Sequence, residues 1–147
     1  MSSPVSKILT SVLADTYALA VKTHGAHWNV VGSGFFQLHQ AFGAQYEALF
    51  DAADDLAERL RALGGSAPAG ISALAKLAGI GDLGDDHEGR ALAKALRDDH
   101  RTLSKACAKA LAVAEKAGDE ATVDMLVGRI EEHDKTAWML DAYSSGK

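Results

Sequence analysis

From Phe35 to Leu63 the apolar residues Phe35, Leu38, Phe42, Tyr46, Leu49, Leu56, Leu60 and Leu63 return at intervals of one or two helical turns, with no proline among them. That stripe predicts a helix of nearly thirty residues, about 43 Å long at the α-helical rise. A rod with one apolar face is stable only when other elements of similar length cover that face, which points to a bundle.

The rest of the chain supplies such partners. A first helix runs from Pro4 to about Val31, with Val5, Ile8, Leu9, Val12, Leu19 and Ala20 at helical spacing, and Val31-Gly32-Ser33-Gly34 turns the chain back into an antiparallel hairpin. Gly64-Gly65 stops the second helix. A small-residue crossover follows, with one short amphipathic run at Ile71-Ser-Ala-Leu74-Ala-Lys-Leu77-Ala. The third long helix is expected to open at Asp85-Asp86, acids suited to a helix N-terminus, and to end at Gly118; the fourth runs from Asp119-Glu120 to Tyr143. Pro4 and Pro68 are the only prolines. The reading is all-α: a ferritin-like four-helix bundle with a short extra helix in the long middle crossover, residues 1–147 forming one domain.

Composition narrows the setting. With 48% hydrophobic and 24% charged residues the chain can fold around a core of its own and is not disordered. The lone Cys107 has no intrachain partner and fits a reducing compartment, and no apolar run reaches the roughly 20 residues of a membrane span, so a cytoplasmic protein is expected. The formal net charge of −5 has no basic block at either end to offset it.

His27, near the end of the first helix, and His39, on the second, lie six residues either side of Ser33, so a tight hairpin brings their imidazoles to one level. Asp54 and Glu58 are spaced i, i+4 and share one helix face. Histidine with carboxylate suits first-row divalent metals, iron above all where redox chemistry is involved. His39 and Asp54, however, are about 22 Å apart along the helix axis. One chain does not close such a site; a second copy packed antiparallel about a two-fold axis would, giving two identical sites per dimer.

The run His27-Trp28-Asn29-Val30, then Gly32, Phe35, Leu38-His39, Phe42, Tyr46, Asp54-Asp55-Leu56-Ala57-Glu58-Arg59 and Gly64-Gly65, resembles the signature of the Dps family of miniferritins, and Glu132-His133-Asp134-Lys135-Thr136-Ala137-Trp138-Met139-Leu140 resembles its last helix. The resemblance implies a homo-dodecamer that oxidises Fe(II) to Fe(III) with hydrogen peroxide or oxygen and stores ferric mineral in a central cavity. It further implies that His27 and His39 of one subunit and Asp54 and Glu58 of its neighbour bind the iron, with Trp28 beside them as an electron donor or an interface anchor. The family usually has an acid four residues after the second histidine, where this chain has Gly43. We therefore expect one firm iron position and one weak, water-completed position, with Gly43 either an open coordination position, the reading favoured, or a close-packing position at the two-fold contact. Asp119 and Asp124 are ordinary acids for a helix start, favoured by its dipole, and the resemblance implies a second role for them, lining a pore through which iron enters.

His24 is read as a surface polar residue, His87 as a capping and solvated residue, and His100 and His133 as residues without matching partners. The competing reading is a nucleoid-associated, DNA-binding protective protein with little ferroxidase activity because of Gly43. Against it, Lys7 is the only basic residue before Lys22 and Lys147 the only one after Lys135, and twelve copies at −5 each would carry a formal −60, so DNA binding is expected to be weak or absent. A ferritin with its di-iron site inside one bundle is excluded, because no Glu-x-x-His occurs in the chain.

Overall fold

A computed structural model describes residues 2–145. Its elements are α1 (Pro4–Asn29), α2 (Phe35–Ala62), the short α3 (Ile71–Leu77), α4 (Gly89–Lys116) and α5 (Glu120–Ser145). Among the described residues there is no strand, and no helix is long and apolar enough to cross a membrane.

α1 begins as its sequence requires, with Pro4 in the first turn and the Ser3 hydroxyl accepting the Ser6 amide at 3.1 Å. Gly34, at φ 84°, lets the chain enter α2 immediately. No side chain fits there in any case, because a Cβ would fall 2.1 Å from the Tyr143 hydroxyl, which reaches across from α5 to donate to the Ser33 carbonyl. α1 packs along α2 and α4 along α5; α1 also lies against α4 and carries α3. α2 and α5 leave a groove between them.

Two apolar clusters fill the bundle. One, around Leu19, Leu38, Phe42, Leu92, Leu96 and Leu140, underlies the hairpin end. The other, around Leu9, Val12, Leu56, Leu60, Cys107 and Leu126, fills the opposite end. Burial raises the Cys107 thiol to about 11, so it is a small apolar side chain and not a nucleophile. The crossover is tied down by the Asp15 carboxylate, which accepts the Gly79 amide at 2.6 Å.

One helix boundary differs from the sequence expectation by more than two residues. α4 starts at Gly89, not at Asp85-Asp86. The Val31 amide donates to the His87 carbonyl at 3.0 Å, and Val31 forms an isolated bridge with Glu88, which holds this stretch extended against the hairpin turn. The acids cap the helix from outside: Glu88 accepts the Ala91 amide and Asp86 accepts the Glu88 amide, each at 3.1 Å. Capping at this end thus falls to Glu88, not to His87.

Candidate metal centre

The hairpin brings His27 and His39 into face-to-face contact, with ring centroids 3.8 Å apart and planes 14° from parallel. Each ring is fixed by the other's backbone. His27 Nδ1 lies 2.5 Å from the His39 carbonyl and His39 Nδ1 2.7 Å from the His27 carbonyl. A carbonyl only accepts, so both Nδ1 atoms carry a proton, and a neutral ring bonded in this way presents its lone pair at Nε2. That is the tautomer and the orientation in which neutral imidazole binds a metal. Phe35 stacks on His39 at 5.3 Å, and Tyr46 meets the edge of His27 at 5.4 Å.

Asp54 and Glu58 form an exposed group in which Asp55 is a third member, their ligand oxygens all lying within 4.8 Å of one another. Asp55 is absent from the sequence-derived site, although its i, i+3 spacing to Glu58 marked it as a neighbour. The histidine pair is not part of this group. A single chain therefore presents two separate groups of candidate ligands, the histidine pair across α1 and α2 and the acids further along α2.

Gly43 is not the open position the sequence suggested. A Cβ there would come within 3.1 Å of His27 Cε1 and 3.2 Å of Nδ1, so the glycine makes room for the imidazole. Its reason is close packing within the chain, under the ring that its neighbour His39 holds. Trp28 is 64% exposed and packs against His24, ring centroids 4.1 Å apart at a 43° tilt, not against His27. His24 is correspondingly not a solvated surface residue: it is half-buried and also stacks on Tyr46 at 4.1 Å.

Asp119 caps α5. Its carboxylate accepts from the Thr122 amide at 3.1 Å, the Thr122 hydroxyl at 2.6 Å and Arg59 at 2.7 Å. Partial burial acts to raise its pKa, but these hydrogen bonds from Thr122 and Arg59 prevail and hold it below the usual carboxylate range. Its charge is matched by Arg59, whereas Asp124, one turn on, is exposed and lines the α2–α5 groove with Asp51 and Asp55.

His100 and His133 do have partners: each other. His100 is 2% and His133 1% exposed, and their Nδ1 atoms are 2.9 Å apart across α4 and α5. The signal was present in the sequence, since the same mirror counting applied to Ser33 brings these two near one level about the turn at Gly118.

The family model described as a ferritin-like domain matches residues 6–145. The chain is 36% identical over 146 residues to the DNA protection during starvation protein of Porphyromonas gingivalis, covering 97% of this chain and 90% of that one. Among solved structures it is similar to a Dps protein from Bacillus brevis, with TM-score 0.92, 33% identity and coverage of 97% and 99%. It is also similar to the Dps protein of Vibrio cholerae O1, described as a member of a broad superfamily of ferritin-like diiron-carboxylate proteins, with TM-score 0.91, 32% identity and coverage of 95% and 87%.

Proposed function

Because the chain belongs to the ferritin-like family as a Dps-type miniferritin, we propose that residues 1–147 form a single domain that oxidises Fe(II) between subunits and stores the ferric product inside a hollow homo-dodecamer, protecting its surroundings from oxidative damage. The observation that carries this reading is the reciprocal bonding of His27 and His39, which occupies both Nδ1 atoms and leaves both Nε2 atoms without a hydrogen-bond partner among the described residues. Two parallel imidazoles 3.8 Å apart are half of a coordination sphere.

The other half comes from a second copy. In an isologous two-fold contact, the partner subunit's Asp54 and Glu58 face His27 and His39 of the first chain, and the same pairing repeats on the other side of the axis. Asp55 stands beside these acids as an additional carboxylate that tightens binding of a dication. With no side-chain ligand at Gly43 and the His27 ring packed close against it, the second iron is held by the carboxylates and water, more weakly than the first.

Two Fe(II) ions give up one electron each to hydrogen peroxide, which takes two protons and leaves as two waters; oxygen is the alternative oxidant. Trp28 sits one aromatic contact away, through His24, as a donor to oxidising equivalents or as an interface anchor. Asp124 lines the route by which iron enters, with Asp119 behind it, its charge shared with Arg59. The net charge of −5 per chain favours Fe(II) over nucleic-acid phosphate as the partner, so DNA is bound weakly or not at all.

Mixed assembly tests this directly. His39→Ala and Asp54→Ala shells should each oxidise Fe(II) poorly. Shells co-assembled from equal amounts of the two should recover about a quarter of the wild-type sites, because half of randomly formed two-fold pairs are mixed and each mixed pair holds one intact site of two. No recovery in shells shown by mass to be mixed would sink the shared site.

A further inference from the structure

Three buried polar atoms without a hydrogen-bond partner among the described residues belong to side chains lining one cavity: Gln45 Oε1 from α2, His100 Nε2 from α4 and Arg129 Nε from α5. The only other such atom among the described residues, Asp99 Oδ2, is compensated by Lys22 Nζ at 2.8 Å. The cavity has a volume of about 170 Å³ and is lined on the α5 side also by Glu132, Lys135 and Thr136. It uses none of His27, His39, Asp54 or Glu58.

The proton positions around it follow from donor chemistry. Arg129 Nη2 lies 3.3 Å from His133 Nε2, and a guanidinium only donates, so His133 Nε2 accepts and its proton sits on Nδ1. That proton bridges the 2.9 Å to His100 Nδ1, which leaves the proton of His100 on Nε2, at the cavity wall. Both imidazoles are neutral near pH 7, because burial pulls their pKa values down and the charge of Arg129 pulls in the same direction.

Arg129 forms no ion pair among the described residues. Glu132 and Asp55 act on it only at longer range. A guanidinium with a buried Nε–H and no counter-ion is a costly arrangement unless something supplies the negative charge. Glu132 is the one carboxylate of the lining and is exposed, whereas the buried polar groups of Arg129 and His100 are donors, and the Gln45 amide can turn its NH2 toward the cavity, since its O and N positions interchange by rotation.

We propose that this cavity binds a small oxyanion of the phosphate or bicarbonate class, held by the Arg129 guanidinium and the His100 Nε2–H, with the exposed Lys135 of its lining as a further cation. A cation is disfavoured there by Arg129 and by the commitment of both His133 nitrogens and His100 Nδ1 to the hydrogen-bond chain. Oxyanion oxygens match the forked donors of arginine, which a spherical halide does not.

The test is calorimetric titration of the assembled, iron-free protein with inorganic phosphate, bicarbonate and chloride, together with an arsenate soak located by anomalous scattering. Phosphate or bicarbonate should bind, chloride should bind less well, and arsenate should lie within the cavity against Arg129. Arg129→Gln should weaken binding about tenfold or more, the effect of losing a charge-assisted hydrogen bond, and Lys135→Ala less so. If Arg129→Gln does not assemble, Lys135→Ala and the wild-type arsenate position decide. No oxyanion heat in the wild-type protein, arsenate only elsewhere, or chloride binding as tightly as phosphate would each overturn the assignment.

Discussion

Gly43→Ala sets two measurable effects against each other. A helical glycine replaced by alanine gains about 1 kcal/mol from backbone propensity alone. At Gly43 the new methyl meets His27 Cε1 at 3.1 Å and Nδ1 at 3.2 Å, closer than ordinary van der Waals contact, so the ring must shift by a few tenths of an ångström. It has little freedom to do so, being tied through Nδ1 to the His39 carbonyl at 2.5 Å and stacked on His39. The strain should cancel most of the propensity gain, leaving stability within about 0.5 kcal/mol of wild type. Displacing a ligand by a fraction of an ångström should slow Fe(II) oxidation by about threefold to tenfold, scaled from the ~100-fold that a 1 Å misplacement costs. Gly128→Ala is the control, because that glycine lies within α5 with nothing within 4 Å of its would-be Cβ. Urea unfolding at fixed protein concentration and initial oxidation rates for both variants separate the effects. If Gly43→Ala gains the same ~1 kcal/mol as Gly128→Ala and oxidises iron at the wild-type rate, the reasoning about the His27 ring is wrong.

His39→Ala and Asp54→Ala should each lower the Fe(II) oxidation rate by at least the 10–100-fold that outer-shell partners of a metal typically cost, with His87→Ala nearly silent; stopped-flow absorbance would show it. Asp119→Ala removes both the α5 cap and the partner of Arg59, and should cost about 1–2 kcal/mol in urea unfolding with an unchanged slope. The folded-state pKa values of His100 and His133 are lowered by burial, so the unfolded chain takes up their protons first: stability should be full above about pH 6.5 and fall below it, by up to about 1.4 kcal/mol per pH unit for each histidine. Thermal melts in non-oxyanion buffers should show this acid slope reduced in His133→Phe; an unchanged slope would mean the pair is not the titrating element.

The four long helices were legible because their apolar spacing and the glycines that end them are local signals. The start of α4 was not, since it depends on Val31 pairing with residues 87 and 88, a contact between segments distant in sequence. Counting from the hairpin turn found the His27–His39 approach, yet the same spacing allowed Gly43 to be either an open ligand position or a packing position. Only the place of the ring decides between them. His100 and His133 looked solitary because neither has a partner on its own helix. The lone short-range carboxylate that escaped notice was Asp55, which stood next to a residue already chosen.

The separation of the histidine pair from the acids within one chain also governs when the chemistry can start. On the proposed pairing, a solitary subunit, newly synthesised or shed from a shell, carries two half-sites and no whole one. Its turnover of iron then depends on encounter with a second copy and, in dilute solution, falls with the square of subunit concentration. Electron transfer from iron is thereby restricted to chains that already have a neighbour, and so to particles on their way to having an inside in which to leave the product.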